Sequence, residues 1–130
     1  MVAVDTNVVV RLLTADDPDQ TRRAAALFAA ESIFLAKSVL LETEWVLRHC
    51  YRLERPALLR SLRLLSGLPG VIVESAAEVA TALAAFESGL DFADALHLAA
   101  SRHVGRFATF DEKLVRRAPE AMVGVVAEGL

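Results

Sequence analysis

Met1-Val2-Ala3-Val4-Asp5-Thr6-Asn7 places an acid at the end of a short apolar run, and that order decides how the chain reads. Val2 to Val4 lack the alternation of a half-exposed strand, so they read as a strand covered on both faces. Asp5-Thr6-Asn7 then reads as a turn at a strand-to-helix junction. Similar runs recur at Ile33 to Leu35, Val71 to Val73, Phe107 to Ala108 and Val123 to Val126. Between them, helical spacing predicts helices over Asp19 to Ala30, Val39 to Tyr51, Pro56 to Leu65, Ala76 to Glu87 and Phe92 to His103. Ser38 and Ser75 suit N-cap positions, Arg55-Pro56 marks a helix start, and Gly89 and Gly105 lie near helix ends. Strands alternating with helices imply an α/β fold with a mostly parallel sheet between helical layers. Ligands of such sheets collect beyond the carboxyl ends of the strands, where Asp5 and Asp111 fall.

With 130 residues, 55% of them hydrophobic, and no repeat or linker-like stretch, the chain fits one domain over residues 1–130. Cys50 is the only cysteine, which excludes an intrachain disulfide and a cysteine-rich zinc site. No stretch approaches the roughly 18 uninterrupted apolar residues of a membrane span, and no basic leader precedes the first strand. A cytoplasmic protein is the expectation. The net charge of −3 argues against nucleic-acid binding by global electrostatics alone, although arginines cluster at Arg22-Arg23, Arg48 to Arg63, Arg102 and Arg106, and Arg116-Arg117.

Four acids interrupt or close apolar runs: Asp5, Glu42 within Val39-Leu40-Leu41-Glu42, Asp94 before Ala95-Leu96-His97-Leu98, and Asp111 after Phe107-Ala108-Thr109-Phe110. Carboxylates so placed need partners, caps or a cation. Each also has a simpler use. Asp5 and Asp111 suit helix caps, Asp91 suits the N-cap of the helix from Phe92, and Asp94 suits the positive end of that helix. Glu44 has Arg48 four residues on and reads as a solvated face, whereas Glu42 points into the apolar stripe with no base along its helix. Trp45 and His97 read as core and core-edge residues. Asp91 and Asp94, three apart, repel one another unless a divalent cation lies between them.

Taken together, the four acids form a hard-oxygen donor set suited to Mg²⁺ or Mn²⁺, with Thr6 and Asn7 as hydrogen-bonding support. Such a set suits phosphodiester hydrolysis. Zinc-type His and Cys spacings, phosphate-binding glycine loops and serine-hydrolase elbows are all absent from the sequence.

Val2-Ala3-Val4-Asp5-Thr6-Asn7, Leu40-Leu41-Glu42-Thr43-Glu44-Trp45-Val46-Leu47, Asp91-Phe92-Ala93-Asp94-Ala95-Leu96-His97-Leu98-Ala99-Ala100 and Ala108-Thr109-Phe110-Asp111 resemble the PIN-domain nucleases in order and spacing. The nearest likeness is to the VapC-type toxins of bacterial toxin-antitoxin modules. The resemblance implies a three-layer α/β/α sandwich around a central, mostly parallel five-stranded sheet that brings the first and fourth strands together. It implies Mg²⁺- or Mn²⁺-dependent endoribonuclease activity, a homodimer, and inhibition by a small antitoxin protein. By that likeness Asp5 and Asp94 bind the metal, Glu42 and Asp111 complete the catalytic set, and Asp91 and Thr109 are accessory. A non-catalytic, dimeric protein-binding module of the same fold is the alternative, in which the acids serve only as caps.

Overall fold

The computed structural model describes residues 1–130, which separate into two compact units, Met1–Glu74 and Ser75–Leu130. In the first, β1 (Val2–Ala3) leads into α1 (Thr6–Thr14), followed by α2 (Pro18–Ala30), β2 (Ile33–Leu35), α3 (Lys37–His49), α4 (Arg55–Ser66) and β3 (Val71–Val73). The three strands form a parallel sheet in the order β1-β2-β3, with Val2 opposite Ile33 and Ile33 opposite Val71. Ile33 and Leu35 of the central strand are fully buried, while Phe34 between them is half-buried and Ile72 of β3 is exposed. Cover on both faces therefore holds for β2 better than for its neighbours.

Helix α1 is absent from the elements predicted by spacing, because Val8-Val9-Val10 carries the stiff, β-branched side chains that disfavour helix. Burial of Val9 and Val10 and the cap from Asp5 offset that preference. Helix α3 begins at Lys37 and not at Val39, so Ser38 is not its cap. Ala36 holds the cap position without a side-chain bond, and the Glu74 carboxylate at the end of β3 accepts from the Lys37 backbone N–H at 2.8 Å. A remote acid thus supplies what the local sequence lacks.

The second unit contains α5 (Ala76–Glu87), α6 (Phe92–Ala100), β4 (Arg106–Thr109), α7 (Glu112–Ala121) and β5 (Val126–Gly129). Its two strands pair in parallel from Arg106 opposite Val126 to Thr109 opposite Gly129. β5 starts three residues later than its apolar run because Gly124 turns the chain at φ 98°, with the Arg102 side chain packed where a Cβ would stand. Ser75 precedes α5 in a left-handed conformation and makes no side-chain cap bond. α7 runs through Pro119, whose ring forfeits one helical hydrogen bond near the helix end. Leu114 and Ala118, four apart and buried, secure the helix over that loss.

The fold class is the α/β one read from the sequence, with five strands and every pairing parallel. The hydrogen-bonded strands fall into sets of three and two, one set in each unit. No helix is long and apolar enough to cross a membrane.

Candidate functional site

In the first unit, the turn from β1 to α1 positions Asp5. Its side chain is exposed, and Oδ1 accepts from the Val8 backbone N–H at 3.2 Å, a cap on α1. The next residue, Thr6, is buried, and its hydroxyl donates to Oε1 of Glu42 on α3. One strand-to-helix turn and one distant helix are thereby joined. Asn7 lines a groove of about 470 Å³ together with Asp5, Arg11, Gln20 and Arg23. Arg11 is held there by Gln20 at 2.7 Å, by Asp16 at 3.1 Å and by the Tyr51 hydroxyl at 3.2 Å. The Tyr51 hydroxyl also donates to Asp16, which with support from Thr14 and Arg11 holds that carboxyl below its ordinary value.

The relation expected between Glu42 and Glu44 is reversed. The buried stripe of α3 is Leu40, Thr43, Glu44 and Leu47, so Glu44 is 1% exposed and Glu42 faces outward. The Arg48 fork lies on Glu44 with bonds of 2.8 and 3.1 Å, as the spacing of four suggested, but the pair is buried at its acidic end. Arg48 reaches solvent along its own length and brings a counter-charge inward. Trp45, read as core, is 52% exposed, with its ring centroid 4.6 Å from that of His49. His97 is likewise exposed and stacks on Phe107 at 6.3 Å.

In the second unit, Asp91 occupies the N-cap position of α6 without a side-chain cap bond, and Asp94 lies in the first turn. Asp94 is half-buried, and its carboxyl is pushed above the ordinary carboxylate value by burial first, then by the charges of Asp91 and Asp111, with His97 acting the other way. Asp111 follows β4, is exposed, and caps α7 by accepting from the Leu114 N–H at 3.1 Å. Its own N–H donates to the Thr109 hydroxyl at 3.0 Å, which fixes the turn. Each unit therefore assembles part of the acid set: Asp5, Thr6 and Glu42 in one, Asp91, Asp94, Thr109 and Asp111 in the other.

The acids offer only oxygen donors, the chemistry of a hard cation. No three or more His, Cys, Asp and Glu side chains stand close enough to enclose a metal ion with protein atoms alone. Mg²⁺ does not require that enclosure, since it commonly takes one or two carboxylates and completes its shell with water. Both caps also use Oδ1 alone, leaving the second oxygen of Asp5 and of Asp111 outside the cap bond. The oxygen-only acids and the mutual repulsion felt at Asp94 fit a cation of this kind.

Parallel strands that pass directly into helices, with an acid at the β1–α1 and β4–α7 joins, define an α/β protein with carboxylates beyond its strand ends, where ligands of such sheets commonly collect. Comparison with protein-family models matches the PIN domain over residues 2–120, a span that runs through both units. The chain belongs to the PIN-domain family, a nuclease-type domain. No curated protein and no solved structure matches the chain.

Proposed function

We propose that the protein is a divalent-metal-dependent endoribonuclease, the toxin of a type II toxin-antitoxin pair, acting as a single PIN-like domain over residues 1–130. The observation that carries the reading is the PIN-domain match over residues 2–120, together with the Asp91, Asp94 and Asp111 carboxylates that bear on one another in the second unit. Anions gathered at this cost are a common feature of functional sites. A bound Mg²⁺ or Mn²⁺ supplies charge for the phosphoryl oxygens and lowers the pKa of a water nucleophile.

Asp5 and Asp94 are the residues that hold the cation in this proposal. Glu42, steadied by the Thr6 hydroxyl, accepts the proton of the attacking water, and Asp111 completes the acidic set from the turn that Thr109 fixes. Asn7 and Asp91 support the site from its margins. The partners are an RNA substrate, a small antitoxin protein and a second copy of the chain, in the cytoplasm.

Purified protein is expected to cleave RNA when Mg²⁺ or Mn²⁺ is present and to stop when EDTA removes it, with activity restored by excess metal. Gel analysis of a defined RNA reads this directly. Cleavage that persists in EDTA after exhaustive metal removal would overturn the assignment.

A further inference from the structure

The groove beside Asp5 lies within the first unit and is built from two helices. On α2, Gln20, Arg23, Ala24 and Leu27 recur at three- and four-residue spacing and so share one face, as Val8 and Arg11 do on α1. Val8, Ala24 and Leu27 give the groove an apolar side, and Arg11 and Arg23 give it a cationic one.

The two arginines are held differently. Arg11 is gripped through Nε by Gln20 at 2.7 Å, and through Nη1 by Asp16 at 3.1 Å and the Tyr51 hydroxyl at 3.2 Å, while Nη2 enters none of these bonds. Asp16 is fixed in turn by the hydroxyls of Thr14 and Tyr51. Because Asp16 lies beyond the last residue of α1, these bonds draw the guanidinium away from Asp5, itself about 9 Å from Arg11 along the helix axis. A long side chain is thus ordered against its entropy, with one N–H group to spare. Arg23 pairs with Asp19 at 3.5 Å, and both are largely exposed, a surface pair that contributes little and releases the arginine readily.

Resting on the ribonuclease reading, we infer that this groove is a phosphate-binding subsite in which Arg11 and Arg23 hold an RNA phosphate next to the scissile one, with Tyr51 and Asp16 positioning Arg11. A strand with its scissile phosphate at the Asp5 cation continues on both sides, and the groove leads from that acid to the two guanidinium groups. The net charge of −3 leaves the grip on a polyanion to local cations. Guanidinium forks match phosphate oxygens, and the contact reads no sequence. Neither arginine touches the reacting atoms; they fix the strand relative to the acids.

The experiment titrates the full chain, in EDTA to prevent cleavage, into a labelled RNA oligonucleotide of mixed sequence and follows anisotropy at several salt concentrations. Arg23→Gln should weaken binding about 5-fold at 0.1 M salt and reduce the slope of log affinity against log salt by about 0.7, the counterion-release share of one phosphate contact. Arg60→Gln removes the same charge from an exposed position on α4 and should leave affinity and slope near wild type. Tyr51→Phe should weaken binding in the wild-type background and add nothing in Arg11→Gln, since it acts through that arginine. Circular dichroism confirms folding, and Arg11→Lys, which loses the fork, replaces Arg11→Gln in the cycle if the latter does not fold.

A wild-type slope in Arg23→Gln overturns the inference and leaves the groove to a protein segment. Equal losses in Arg23→Gln and Arg60→Gln overturn it too, because net charge alone would then be read. A Tyr51→Phe loss of the same size in both backgrounds removes its positioning role. Wild type that binds RNA without cleaving it in Mn²⁺ sinks the nuclease assignment alone, whereas cleavage with an unaltered Arg23→Gln slope sinks the subsite alone.

Discussion

Asp94→Asn is expected to lower metal-dependent RNA cleavage by more than about 100-fold while leaving the protein folded. Loss of a group that only supports a metal ligand commonly costs about 10- to 100-fold, so removal of a carboxylate that holds the cation should exceed that range. The amide keeps the shape of the half-buried side chain and deletes its charge. Two effects on the metal-free fold oppose each other. An acid in the first turn of α6 gains about 0.3–1 kcal/mol from the helix dipole, and the substitution forfeits it. Relief of the repulsion from Asp91 and Asp111, and of the burial that raises the Asp94 carboxyl, acts in the other direction. The melting temperature in EDTA should therefore change little, whereas the stabilisation of wild type by added Mn²⁺ should vanish in the variant. At Mn²⁺ levels near 100 times its dissociation constant, that stabilisation is about 2.7 kcal/mol for a single site. Cleavage assays and thermal melts on the same preparations read both halves. An Asp94→Asn protein that cleaves at the wild-type rate would remove the residue from the site.

Arg48→Met is expected to destabilise the fold by about 3 kcal/mol without touching the acid set. Glu44 is 1% exposed, and its two bonds to the Arg48 fork are the partners that satisfy it. Removing the guanidinium strands a carboxylate in the core, for which about 3–5 kcal/mol is typical. The lower end applies because the Arg48 side chain is itself 40% exposed, so water can partly replace it. Glu44→Leu combined with Arg48→Met should recover most of the loss, since an apolar pair of similar size leaves nothing unsatisfied. Urea unfolding of the two single variants and the double variant measures the coupling. A single Arg48→Met variant within about 0.5 kcal/mol of wild type, the range of an ordinary surface change, would show that Glu44 finds water in the native state.

The alternation of apolar runs with helical spacing makes the α/β class and the first four strand locations legible, because parallel strands and their helices carry strong local patterns. Element ends were less so. The starts of α3 and β5 depend on the Glu74 carboxylate and on the Gly124 turn packed against Arg102, contacts set by tertiary structure. Burial of α3 is not legible in its sequence for a physical reason: an Arg four residues after an acid ordinarily marks a solvated face, whereas here the Arg reaches inward to neutralise Glu44. That same rotation of the helix exposes Glu42 and Trp45. The acids at Asp5 and Asp111 were read both as caps and as site residues, and the cap bonds are present. Capping occupies one oxygen of each, which leaves the two uses compatible. Arg11 and Arg23 line the same groove as Asp5, a neighbourhood that no spacing along the chain reveals because α1 and α2 meet only in the folded unit.

The nuclease proposal assigns a divalent cation to Asp5 and Asp94. Isothermal titration calorimetry with Mn²⁺ on wild type, Asp5→Asn and Asp94→Asn tests that assignment most directly. Wild type should show a saturable site, and each substitution alone should weaken it by at least about 10-fold. A wild-type titration without saturable heat, or a site that survives unchanged in either variant, would contradict it.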